Sequence, residues 1–355
     1  MHLLSEASLS GKTVLLRADL DVPLLDGKVC DDTRLLSVIP TVELLLKQDC
    51  KVIIAGHLGR PEGVDKSLTL EPIAKWFGIK YKVSSIKWGK RGNFEGWEIG
   101  QNIFLLENLR FFAGEEKNDP EFAKKLAGLA EIYVNDAFAI CHRTHASVVG
   151  ITQFLPHFAG LHLEKEIAVL TEVLQNPKRP LAVIIGGAKL ETKLPLVEAM
   201  HHVADYVLVG GKLAGEMKTL LKMQHEKIAG RKSALLIADL NPEETDITPK
   251  SAENFLQIVG MAKTVIWNGP LGKISDNKKE LIESEKGSTL IAEGLVKSGS
   301  YTIVGGGDTI GFLEKACLLD HFACMSRERC FLSTGGGAML SFLSGEKLPG
   351  VEALD

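Results

Sequence analysis

LAVIIGGAK (181–189) decides how this 355-residue chain folds. An unbroken aliphatic run ends in two glycines. A strand that is apolar on both faces must be covered on both, which is the situation inside a parallel sheet flanked by helices. The glycines let the chain turn sharply into the next helix, and N–H groups at such a turn can approach an anion closely. The pattern recurs downstream in DYVLVGG (205–211), ALLIADL (234–240), TVIWNG (264–269), YTIVGGG (301–307) and CFLSTGGG (330–337). Upstream, similar runs are KTVLLRADL (12–20), CKVIIAG (50–56), NIFLLEN (102–108) and EIYVNDAF (131–138). Segments with helical spacing lie between them, among them RLLSVIPTVELLLKQ (34–48), DPEFAKKLAGLA (119–130) and SAENFLQIVGMA (251–262). This alternation predicts a doubly wound α/β architecture.

Length suggests two domains. The helical segment LEKEIAVLTEVLQNPKRP (163–180) ends in Asn-Pro, and the strand ends change character after it. The expected division is a first domain over 1–162, a connecting helix or hinge over 163–178 and a second domain over 179–344. The net charge of −4 gives no bulk attraction to nucleic acid or to a membrane, so neither is expected as a partner. No apolar run approaches the ~20 residues of a membrane span. The opening MHLLSEASLSGK has neither a basic start nor a long apolar run, and the six cysteines include no C-x-x-C pair. A reducing, cytoplasmic setting is the expectation.

Ligands of open α/β sheets bind beyond the carboxyl ends of the strands. In the first half those ends are basic. Arg17 lies within the first run and Arg34 opens the next helix. His57-Leu58-Gly59-Arg60 follows the second run, Arg110 the third, and Cys141-His142-Arg143 with His145 the fourth. Convergent arginines suit a small polyanion, because the guanidinium fork matches carboxylate and phosphate oxygens two at a time. In the second half the ends are glycine: Gly186-Gly187-Ala188-Lys189, Gly210-Gly211-Lys212, Asn268-Gly269-Pro270, Gly305-Gly306-Gly307-Asp308-Thr309 and Ser333-Thr334-Gly335-Gly336-Gly337. Together they point to a nucleotide. Neither common nucleotide fingerprint is present. Gly11-Lys12-Thr13 has Glu6 where a P-loop needs its first glycine, and the run from Gly305 has Ile310 where a dinucleotide motif needs its last. Cys141-His142-x-x-His145 lacks the distant ligand pair of a zinc site and reads as anion contact or packing. An anion rim and a nucleotide edge imply phosphoryl transfer, which needs positioning and charge neutralisation, with water excluded by a hinged closure.

RADLDVP (17–23), GHLGRP (56–61), LLENLRF (105–111), YVNDAF with HR (133–143), GGAK with a further Lys (186–193), WNGP (267–270), GGGDT (305–309), STGGGA (333–338) and LPGVEAL (348–354) resemble phosphoglycerate kinase from end to end. The resemblance implies two Rossmann-like domains joined by a hinge helix, with a tail (345–355) returning to the first. It implies that Asp19, Leu20, Asp21, Arg34, His57, Leu58, Gly59, Arg60, Arg110 and Arg143 bind 3-phosphoglycerate or 1,3-bisphosphoglycerate. Lys189 and Lys193 would contact the phosphates of ATP or ADP, and Gly187, Gly211, Asn268 and Pro270 would line the adenosine site. Gly306, Gly307 and Thr309 would cradle phosphate oxygens, and Asp308 would ligate Mg²⁺. Arg34, Lys189 and the N–H groups around Gly336 would act on the transferring group. A monomer is implied.

The chain departs from the family pattern in places. Asp21 stands where Asn is frequent. Ile274 and Ser275 occupy the positions of a usual Phe-Glu pair whose Glu reaches the ribose. Lys212 replaces a glycine and Met339 a serine, and Leu221 to Pro249 is short. Altered nucleotide preference is the expectation. The alternative is a degenerate relative that binds or regulates. A dehydrogenase is disfavoured by the missing dinucleotide motif.

Overall fold

Every one of the apolar runs forms a strand in the computed structural model, which describes residues 1–187, 190–223, 233–274, 286–325 and 329–355. The chain divides into two units, Met1–Ala168 with Lys347–Asp355, and Val169–Glu346. The boundary falls inside the helix Leu161–Gln175. That helix starts two residues before the expected hinge and stops before Asn176-Pro177, as expected when a proline disfavours helix at the residue preceding it.

The first unit holds β1 (Thr13–Arg17), β2 (Lys51–Ala55), β3 (Ile86–Arg91), β4 (Phe94–Ile99), β5 (Ile103–Leu106), β6 (Ile132–Asn135) and β7 (His157–Ala159). They form one sheet in the order β3-β4-β5-β2-β1-β6-β7. Its β5-β2-β1-β6-β7 part is parallel, with Leu16 in register with Ile54 and Val134. The β3-β4-β5 edge is antiparallel, so this sheet is mixed and not purely parallel. Leu16, Ile54, Leu105 and Val134 pack with Leu35, Val42 and Phe77 in a core. Each such fully buried side chain contributes roughly 1.5–3 kcal/mol relative to exposure. Helix Pro120–Ala127 opens on Asp119, whose carboxylate accepts from the Phe122 N–H at 2.7 Å, with Pro120 at the first helical position. Residues Lys347–Asp355 close the unit: the Gly350 N–H donates to the Cys141 carbonyl at 2.8 Å and the His2 N–H to the Leu354 carbonyl at 2.8 Å.

The second unit holds β8 (Leu181–Ile185), β9 (Tyr206–Val209), β10 (Ala234–Ile237), β11 (Thr264–Asn268), β12 (Tyr301–Gly305) and β13 (Cys330–Ser333). Their order is β10-β9-β8-β11-β12-β13, and every described pairing is parallel. Trp267, Phe255, Phe312 and Ile291 fill its core. Because β5, β2, β1, β6 and β7 run one way, as do the strands of the second unit, their carboxyl ends share an edge in each unit, and the loops there are the ones singled out by sequence.

Candidate functional site

In the first unit, β1 runs directly into Asp19 and Asp21. Asp19 is buried, and burial raises its pKa even though Arg34 opposes the shift. Arg34 Nη1 lies 3.4 Å from Asp19 Oδ1, 3.9 Å from Asp21 Oδ2 and 2.9 Å from the Asp21 carbonyl. The field of Asp19 holds the Arg34 guanidinium charged. Asp21 Oδ1 accepts from the Gly59 N–H at 2.8 Å, and its Oδ2 is 3.9 Å from His57 Nε2. The loop after β2 is therefore tied to the loop after β1. It is tied to the loop after β5 as well. Buried Asn108 donates to the carbonyls of Leu58 and Leu68, at 2.8 and 2.9 Å, and accepts from the N–H groups of Leu58 and Arg110. Arg110 Nη1 donates to the Gly59 carbonyl at 2.6 Å, and its Nε pairs with Glu116 at 3.0 Å. Gly59 has φ +65, and a Cβ there would lie 2.8 Å from Leu68 Cδ2, so this turn needs glycine. Arg60 is exposed and Arg143 half-buried; neither has an ion pair among the described residues. Leu20 and Leu58 point into the core, leaving only backbone at the rim.

The second unit presents crossing glycine loops. The Gly186 N–H donates to the Asn268 carbonyl at 3.0 Å and the Gly187 N–H to the Pro270 carbonyl at 2.9 Å. The Gly269 N–H donates to Thr309 Oγ1 at 2.7 Å. A Cβ on Gly211 would lie 3.1 Å from both the Gly187 and Pro270 carbonyl oxygens, so three loops meet with no room for side chains. Gly306 precedes the helix Gly307–Lys315 and Gly336 opens the helix Gly336–Leu343. A Cβ on Gly336 would be 3.9 Å from the Gly307 nitrogen, so two helix N-termini approach each other. Such ends favour anions. Asp308 is exposed in the first turn of one of them. Lys193 donates to Asn268 Oδ1, and burial draws its pKa down to about 8 against the pull of Asp308. Lys189 and Ser275 lie outside the described residues, as do residues 224–232 of the short stretch. Met339 is buried, its sulfur filling the space that a side chain on Gly305 would need and standing 3.9 Å from Asn268 Nδ2.

Contacts thus link Asp19, Asp21, Arg34, His57, Gly59 and Arg110 in one unit, and Gly187, Lys193, Gly211, Asn268, Pro270, Gly306 and Thr309 meet at one edge of the other. Residues that sequence reasoning left without a role support the first rim from below, Asn108, Glu115 and Ser147, and Arg17, counted there among the rim arginines, is fully buried with them. The one signal for Arg17 was a charge at the end of an otherwise apolar strand.

The sequence model of the phosphoglycerate kinase family matches residues 4–235 and 222–346. Phosphoglycerate kinase from Nostoc sp. is 39% identical over 402 aligned positions, covering 99% of this chain and 98% of its own. A cytosolic phosphoglycerate kinase of Triticum aestivum is 37% identical, covering 99% and 97%. Among solved structures, phosphoglycerate kinase from Coxiella burnetii matches with TM-score 0.77 at 31% identity, covering 99% of this chain and 98% of its own. The enzyme from Pyrococcus horikoshii matches with TM-score 0.79 at 29% identity, covering 100% and 98%. The 402 aligned positions exceed this chain's 355 residues, and the two matched segments of the family model overlap inside Leu221–Pro249.

Proposed function

This chain belongs to the phosphoglycerate kinase family, and from that premise we propose how its residues share the reaction. It is an ATP-dependent phosphotransferase of glycolysis, moving a phosphoryl group reversibly between 1,3-bisphosphoglycerate with ADP and 3-phosphoglycerate with ATP. The acceptor is the carboxylate of 3-phosphoglycerate, held at the first unit's rim by Asp19, Asp21, Arg34, His57, Arg60, Arg110 and Arg143. The observation that carries this reading is the pair Arg60 and Arg143: cations with no ion pair among the described residues, Arg60 following Gly59, whose carbonyl takes Arg110, and Arg143 within the field of Arg110. A polyanion supplies their missing partner.

Arg34 neutralises charge at the transferring group. Lys189 and Lys193 hold nucleotide phosphates, with Gly306, Gly307 and Thr309 around the oxygens. Gly187, Gly211, Asn268 and Pro270 line the adenosine side, and the N–H groups at Gly335–Gly337 meet developing negative charge. An exposed carboxylate beside phosphate-cradling glycines fits Mg²⁺, which takes one or two carboxylates plus phosphate oxygens; Asp308 would hold it, and the ion would spread phosphate charge. The helix Leu161–Gln175 is the proposed hinge. We assign a monomer and a cytoplasmic setting. For the latter, the support is the wheat relative's name and the lack, among the described residues, of a helix long and apolar enough to cross a membrane.

The test couples purified protein with ATP, Mg²⁺ and 3-phosphoglycerate to glyceraldehyde-3-phosphate dehydrogenase and follows NADH loss. Turnover that needs all three is expected. Folded protein that binds the acid without turning it over would instead make this a binding relative. The same assay with other nucleotides tests the altered preference expected from Ser275, and ordinary ATP selectivity would remove that expectation.

A further inference from the structure

Beneath the first unit's rim, Glu115, Ser147, Arg17 and His57 form one directional chain of hydrogen bonds. Glu115, Ser147 and Arg17 have no exposure, and His57 is 6% exposed. Glu115 Oε2 accepts from the Ser147 N–H at 3.0 Å and Oε1 from the Ser147 hydroxyl at 2.5 Å. With its proton committed to Glu115, the Ser147 oxygen accepts from Arg17 Nε at 2.9 Å. Arg17 Nη1 donates to the Ala18 carbonyl at 2.5 Å, which leaves Nη2 aimed at His57 Nδ1, 3.1 Å away.

A guanidinium has donors only and keeps its proton throughout the physiological range. His57 Nδ1 must therefore accept, and the ring's single proton sits on Nε2, the nitrogen that faces Asp21. An imidazolium would set N–H against N–H across the Arg17 contact. We propose that Arg17, oriented by Ser147 and Glu115, is a positioning residue that locks His57 as its neutral Nε2–H tautomer and so fixes it as an uncharged donor to the acid substrate. The proposal rests on the reading that this rim takes 3-phosphoglycerate.

The surroundings agree. Burial is the largest influence on His57, and Arg17 from β1, Arg110 from beyond β5, His145 from beyond β6 and Arg34 from the helix after β1 add to it, together holding the imidazole well below its ordinary range. Asp21, at 3.9 Å, is the carboxylate that faces it from the loop after β1. A rim that already carries Arg34, Arg60, Arg110 and Arg143 thus gains a hydrogen-bond donor without a further charge.

The experiment is two-bond ¹H–¹⁵N correlation spectroscopy of full-length, histidine-labelled protein, with His57 assigned by its loss in His57→Gln. The expected wild-type result is a neutral Nε2–H ring from about pH 5.5 to 8.5, a window spanning the usual histidine pKa. An Nδ1–H ring or an imidazolium at neutral pH overturns the proposal, and this arm needs no Arg17 variant to fold. In Arg17→Met, burial and the remaining cations still disfavour the imidazolium, but nothing holds Nδ1 as an acceptor, so the ring should populate the Nδ1–H tautomer and the KM for 3-phosphoglycerate should rise about fivefold, with the nucleotide KM unmoved. A folded Arg17→Met protein whose His57 keeps a pure Nε2–H ring also overturns it. A locked ring that 3-phosphoglycerate leaves unshifted would overturn the donor role and the reading of the rim, while the lock itself would stand.

Discussion

Lys193 sits where burial weakens its charge, drawn down to about 8 while Asp308 pulls the other way. Below that value the free protein offers an ammonium to nucleotide phosphates. As pH rises through it the cation is lost, so binding an anion there must take up a proton. The KM for nucleotide should therefore rise above about pH 8, by up to tenfold per unit. Lys193→Arg should flatten the profile, because arginine stays charged; a wild-type KM that is level to pH 9.5, roughly a unit and a half past the turning point, would contradict the role. Arg34 makes a different prediction. Its fork is held by Asp19 and the Asp21 carbonyl, so its geometry does not depend on nucleotide. Arg34→Ala should lower kcat by about two orders of magnitude or more, as the loss of a transition-state contact does, with little change in nucleotide KM. Equal losses in both would remove the assignment. Arg60 and Arg110 could be read from sequence because each follows a strand in a loop that can only lie at the carboxyl edge. The part played by Arg17 could not, because it depends on Ser147, 130 residues away, and on the direction of a hydroxyl proton.

Elements show the same division. The strands were legible because a doubly covered strand must be apolar throughout. The β3 and β4 pair was not, because FEGWEI interrupts buried Phe94, Trp97 and Ile99 with Glu95 and Glu98, and IKWGKR has no buried residue, giving no continuous run to find. The glycine loops were legible as tight turns at the carboxyl edge, whereas their mutual crossing was not. Gly269 has φ +96, and a Cβ there would collide with the Gly186 carbonyl. Gly269→Ala must therefore open the contact between the loops after β8 and β11. A loss of stability beyond about 1 kcal/mol is expected, together with a higher nucleotide KM and an unchanged KM for 3-phosphoglycerate. Thermal unfolding and steady-state kinetics measure both, and wild-type behaviour would mean that the loop has slack.

For the whole molecule, the expectation is that each ligand reports on one unit. In hydrogen exchange with 3-phosphoglycerate alone, amides in 18–21, 56–60 and 108–111 should gain protection; with Mg²⁺ and ATP alone, those in 186–187, 210–211, 268–270 and 306–309 should. Crossed protection would reassign the half-sites. Two domains were legible from length and from the change in strand ends, but their membership was less so: no local pattern in LPGVEALD says what it will touch, and Lys347–Asp355 packs with the first unit. That packing has a temporal consequence. The second unit lies between the two parts of the first, so on the ribosome it is complete in sequence before the first unit can be. At ~5–20 residues per second the strands of the first unit wait on the order of ten seconds for Gly350 to reach Cys141. For that interval the nascent sheet stands with the Gly350 contact to Val148 and Cys141 unmade. The half that emerges first is the half that finishes last, and a stalled or truncated chain would present a completed second unit attached to an unsealed first one, a form that chaperones and proteases would meet.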